Sequence, residues 1–101
     1  MTLNVKAFPN PARSQVIIRY SIPSPSSLSS PVRSEGIINH SKVSLNLFDI
    51  SGRLVKTLVN ERKKSGIYNI NLNTKTLSAG VYFLSLKTED KRIIERLVVV
   101  K

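Results

Sequence analysis

Apolar and polar residues alternate along most of this chain. In "VIIRYSI", Val16, Ile18, Tyr20 and Ile22 fall on one side. In "KVSLNLF", Val43, Leu45 and Leu47 oppose Ser44 and Asn46. "YNINLN" sets Tyr68, Ile70 and Leu72 against Asn69, Asn71 and Asn73, and "VYFLSL" aligns Tyr82, Leu84 and Leu86. A period of two marks a strand with one buried face. Nowhere do apolar residues recur at helical spacing over three turns, so helix is expected to be nearly absent. The pattern predicts about seven strands, near residues 3–8, 14–22, 42–49, 53–60, 67–73, 80–88 and 92–100. One apolar and one polar face per strand favours an antiparallel β-sandwich over a small barrel.

The breaks between strands carry turn chemistry. In "FDISGRLVKTL" the alternation stops at Ser51-Gly52 and resumes after Arg53. Glycine reaches positive φ without steric cost, and Asp49 is placed to accept from the backbone just ahead, so a hairpin turn is expected. Gly66 and Gly80 read as turn residues before strands. Residues 24–41, "SPSSLSSPVRSEGIINHS", hold seven serines and two prolines. They read as a long loop inserted between the second and third strands, with "GIIN" as a short edge strand inside it. The expectation is therefore a single domain over residues 1–101 with an insertion at 24–41.

The chain has 101 residues and ordinary globular composition. No apolar run approaches the roughly 20 residues needed to cross a bilayer as a helix. "MTLNVKAFPN" lacks the apolar stretch of a signal peptide, which suggests a domain from a longer protein. Without cysteine, disulfides and thiolate metal sites are excluded. Net charge is the unusual quantity, +10 from 16 Lys+Arg and 6 Asp+Glu. It favours an anionic partner: nucleic acid, lipid or glycan. The basic residues are spread from Lys6 to Lys101, and the one dense run is Arg62-Lys63-Lys64, so nucleic acid is not the expected partner.

Catalytic chemistry finds little support. His40, the one histidine, falls in the Ser-rich loop, where nothing holds it to a nucleophile and an acid. Glu89 and Asp90 sit in a hairpin tip, "KTEDKR", flanked by bases. No spaced set of oxygen ligands and no phosphate-cradling glycine loop occurs. Neither enzyme activity nor a cofactor nor a metal is expected. Tyr20, Tyr68 and Tyr82 share faces with aliphatic residues and belong in the core. Phe48 and Phe83 lie on the opposite face of their strands, and either cover the sandwich or offer a contact surface.

Four motifs occur in order. "FPNPARSQVIIRYSI" opens with Pro9-Asn10-Pro11. "LFDISGRLVKTL" has the form D-x-x-G-R-x-V. "LSAGVYFLSL" has the form L-x-x-G-x-Y-x-x-x-L. "ERLVVVK" closes the chain. Together they resemble the type A C-terminal sorting domain of the type IX (Por) secretion system. The immunoglobulin-like domain of flagellar hook-capping proteins is similar in pattern. The resemblance implies an all-β, immunoglobulin-like antiparallel β-sandwich of about seven strands. It implies a secretion signal at the tail of a precursor, partnered by its N-terminal cargo domain and by outer-membrane machinery. The cargo would pass through the periplasm and end secreted or at the cell surface, where anionic lipopolysaccharide is a further partner; the tail is often removed by a sortase-like protease.

Carried over by position, the recognition features fall on Pro9, Asn10 and Pro11, on Gly52 and Arg53, on Gly80 and Tyr82, and on Arg96, Leu97, Val98, Val99, Val100 and Lys101. The closing strand is the foremost candidate, since an edge strand can pair with a strand of another protein; packing alone would also account for it. The chain departs from the family in its 24–41 insertion, in Arg96 where lysine is common, and in the residues just before Leu77. The alternative function is a structural or adhesive immunoglobulin-like module contacting a neighbouring domain or an anionic surface glycan.

Overall fold

The computed structural model describes residues 3–23, 40–89 and 91–101, and they form seven strands. These are β1 (Asn4–Phe8), β2 (Gln15–Ile22), β3 (His40–Asp49), β4 (Leu54–Lys64), β5 (Gly66–Asn73), β6 (Gly80–Lys87) and β7 (Arg92–Val99). They make two antiparallel sheets, one ordered β1-β2-β5 and one ordered β4-β3-β6-β7. This is an immunoglobulin-like arrangement in which the fourth strand pairs with the third rather than with the fifth.

The alternating residues explain the layers. From the three-stranded sheet, Val5, Val16, Ile18, Tyr20, Ile22 and Leu72 point inward and are buried. From the other come Val43, Leu45, Leu47, Leu84, Leu86, Leu97 and Val99. Each fully buried aliphatic side chain of this kind contributes about 1.5–3 kcal/mol through loss of apolar surface from water. Tyr20 and Tyr82 are core residues and Tyr68 packs against the core, as the pattern implied. The Tyr20 and Tyr68 rings stack at 5.4 Å between centroids.

Three expectations differ from the structure. His40 and Ser41 belong to β3 rather than to a loop, in register with Lys64 and Lys63. β4 likewise runs on to Lys64, so the dense basic run is strand. β4 also breaks the rule of one buried face per strand. The ladder slips at Leu45/Asn46 and again at Leu47/Phe48. Each slip reverses which side chains face inward, and Leu54 to Thr57 are all exposed. The loop at 24–39 and the "GIIN" strand lie outside the described residues.

Candidate functional site

The β3–β4 turn is built by Asp49. Its Oδ1 accepts from the Ser51 N–H at 2.9 Å, the Ser51 hydroxyl at 2.6 Å and the Arg53 N–H at 3.0 Å. Backbone bonds close the turn in both directions, from the Gly52 N–H to Asp49 O and from the Asp49 N–H to Arg53 O. The Ser51 hydroxyl, followed by the Arg53 backbone, holds the Asp49 carboxyl below its ordinary pKa. Gly52 has φ +89°, and a Cβ there would meet nothing within 4 Å, so its requirement is purely backbone. The Arg53 guanidinium lies 3.7 Å from Asp49 and is 82% exposed.

The Pro9-Asn10-Pro11 segment does something alternation does not reveal. After β1 the chain leaves its own sheet, passes along the outer edge of β7, and returns to begin β2. The Asn10 side-chain amide donates to Arg96 O at 2.9 Å, and its carbonyl accepts from the Val98 N–H at 3.0 Å. One carboxamide therefore acts as the peptide group of a missing neighbouring strand. Ala12 continues the pairing: its N–H donates to Val98 O and its C=O accepts from the Val100 N–H. Ala12 bridges Val99 in parallel and is fully buried. Both X-Pro bonds of the segment, Phe8-Pro9 and Asn10-Pro11, are cis.

These bonds define which part of the β7 edge is open. Backbone groups of alternate residues point to opposite sides of a strand. On β7 the even-numbered residues face away from β6, and Asn10 and Ala12 occupy that side from Arg96 O to the Val100 N–H. The stretch from Arg92 to the Arg96 N–H is what remains for a further strand. Within it, Glu95 stands on the core side of β7 and Ile94 on the outer side, 57% exposed.

A third cluster closes the same end. The Lys101 ammonium donates to Thr74 O and Lys75 O, both at 3.2 Å. Thr74 is fully buried; its N–H donates to Ser14 O and its hydroxyl to Arg13 O. Near the start of β6, the Tyr82 hydroxyl donates to Ser78 O at 2.7 Å. A tyrosine bonding back to the backbone at this corner is a recurrent feature of immunoglobulin-like sandwiches.

The sequence candidates thus share one end of the molecule. Gly80 and Tyr82 pair in register with Val99 and Leu97, Asp49 pairs with Tyr82, and Asn10 lies against Arg96 and Val98. Their roles divide. Leu97, Val99 and Tyr82 are buried, and the Asn10 amide and Lys101 ammonium are engaged within the chain. Arg53 and Arg96 are exposed, and Val98 is half-buried on the outer face. Sequence reasoning missed Ala12 and Thr74, whose small side chains carry no signal of their own. It also left Phe48 and Phe83 undecided; the register sets them side by side on the outer face, with Leu54 and Arg96 completing the row.

The basic residues are less scattered than they read. At the opposite end of that face, Lys42 pairs with Arg62, and Ser44, Lys87 and Arg92 form one row. Glu89 lies 3.7 Å from Arg62, and Glu61 lies 3.0 Å from Lys63. That contact to Glu61 raises the Lys63 pKa. Among the described residues no group of three or more His, Cys, Asp or Glu could hold a metal ion, and no helix is long and apolar enough to cross a membrane.

No curated protein and no solved structure matched the chain. A family model described as a secretion system C-terminal sorting domain matches residues 6–100. With nearly the whole chain covered and its four motifs drawn together at one end of an immunoglobulin-like sandwich, the chain belongs to the family of secretion system C-terminal sorting domains.

Proposed function

We propose that this domain is the folded export signal of a larger precursor, carrying a cargo joined on its N-terminal side through the periplasm to the outer-membrane type IX machinery. The cargo is then released or held at the surface. The observation that carries the reading is convergence: motif residues from Pro9 to Lys101 meet at one end. A machine that read a linear tail would need only the last residues. An assembled end offers Arg53, Arg96 and Val98 on one folded surface, together with the open Arg92–Arg96 stretch of the β7 edge. Recognition by strand addition at that stretch uses main-chain bonds for affinity and the alternating outward side chains for selectivity.

The test is a periplasm-directed fluorescent reporter fused to residues 1–101 in a bacterium with a type IX system. Deleting residues 97–101 is a poor control, since it removes the buried Leu97 and Val99. Arg96→Glu with Val98→Asp alters the outward surface instead. The intact fusion is expected outside the cell and the folded double variant in the periplasm. Intact reporter retained in the periplasm of two type IX hosts would overturn the reading.

A second reading rests on the basic end of the four-stranded sheet: an adhesive module holding an anionic glycan such as lipopolysaccharide. Binding of that kind weakens steeply with salt.

A further inference from the structure

The outer face of the β4-β3-β6-β7 sheet joins two unlike surfaces. At the motif end, Leu54, Phe48 and Phe83 stand in one row across three strands, and Arg96 ends the row on β7. Leu54 is 52% exposed and Ile94, one step along β7, is 57% exposed. Toward the other end the outward positions turn cationic at Lys42, Lys87 and Arg92. Among the described strand residues, no outward position on this face is an acid. Asp49, nearest the aromatic row, is committed to its turn.

We infer that this face is a docking surface for an acidic amphipathic helix of a protein partner, and that this helix belongs to whatever engages the folded domain during export. The inference rests on the export reading and names the partner's chemistry. Three gaps between four strands span about 14 Å, slightly more than the roughly 10–12 Å diameter of a helix with its side chains. A helix laid along the sheet covers the two central strands, where Phe48 and Phe83 supply the apolar contact. Its flanking carboxylates then meet Arg92 and Arg96 on β7. Strand addition serves an edge, whereas a face needs packed side chains.

Charge separates this occupant from the others. A second copy would bring the same cations and another +10 against the first. Insertion into a bilayer would carry Arg96 to the depth of Phe83, its register partner, at the cost of burying a charge in hydrocarbon.

A photo-crosslinking phenylalanine analogue replaces Leu54, Ile94 or Ile67 in the reporter fusion, one position at a time. Ile67 is the control, 62% exposed on the outer face of the other sheet. Irradiation of cells is followed by mass spectrometry of the adducts. Positions 54 and 94 are expected to give roughly tenfold more adduct than 67. The adducts should map to one Asp/Glu-rich helical segment of another protein, and Arg92→Glu with Arg96→Glu should abolish them. Equal yields at the three positions overturn the inference, as do no adduct, lipid adducts, adducts to a second copy, or a segment without acids. The adduct is read whether or not the reporter leaves the cell: a retained wild-type fusion counts against export, and a missing adduct counts against the docking face.

Discussion

The two edges of the four-stranded sheet meet the same hazard by different means. An edge strand exposes unpaired backbone groups that invite association. β4 meets it locally. Its ladder is slipped twice, its surface is charged from Glu61 to Lys64, and the Asp49 turn holds it to its immediate neighbour in sequence. β7 meets it at long range, through one asparagine 86 and 88 residues away from the groups it covers. The contrast shows that edge protection can be a property of composition or of topology. A topological seal is the kind that can cover half an edge and leave the other half for a partner.

The largest effect that would sharpen this contrast lies beneath the sealed edge. Leu97→Ala removes a fully buried side chain and is expected to cost about 2–5 kcal/mol. Lys56→Ala on the opposite edge strand is exposed and should stay within about 0.5 kcal/mol. Chemical denaturation of the two variants measures the difference directly.

Breaking the seal itself comes next. Asn10→Ala deletes two hydrogen bonds, each worth about 0.5–1.5 kcal/mol net, for a loss of about 1–3 kcal/mol. Amide exchange localises it. In the wild type the Val98 and Val100 N–H groups are bonded outward to Asn10 and Ala12 and exchange slowly. The Ile94 N–H, on the open stretch, exchanges fast. In the variant Val98 should join Ile94. Unchanged protection at Val98 would mean that Asn10 is not the seal.

The smallest effect concerns the turn that tethers β4. Hydrogen bonds lower the Asp49 pKa in the folded state. Its stabilisation is therefore full above the unfolded value of about 3.9 and fades as pH falls through the lower folded value. Asp49→Asn should be slightly less stable than wild type at pH 7, and the gap should close as pH falls through the lowered folded-state value. A gap that persists at low pH would assign the effect to geometry rather than to charge.

Alternation revealed most of the fold because burial alone decides which side of a strand faces inward. Val16 to Ile22 and Tyr68 to Leu72 announce their strands without help from neighbours. β4 was less legible, since its slipped register depends on how β3 sits beside it and not on its own residues. The candidate positions were legible as motifs, and the Asp49 turn also as chemistry, because its bonds span at most four residues. The motif marked Asn10 without disclosing what its side chain does, because nothing near residue 10 says that Arg96 and Val98 will lie opposite. The same holds for Lys42, Lys87 and Arg92, which become one cationic region only once three strands are aligned.

The Asn10 contact also sets an order of events. Residues 10–12 leave the ribosome before residues 96–100 and have no partner until those follow. The sandwich cannot be completed one strand at a time as the chain emerges; its last ladder waits for the C-terminal strand to arrive. A chain cut short before that strand keeps Asn10 unsatisfied and the core short of Leu97 and Val99. Completion of this domain is thereby a physical report that translation has passed residue 100.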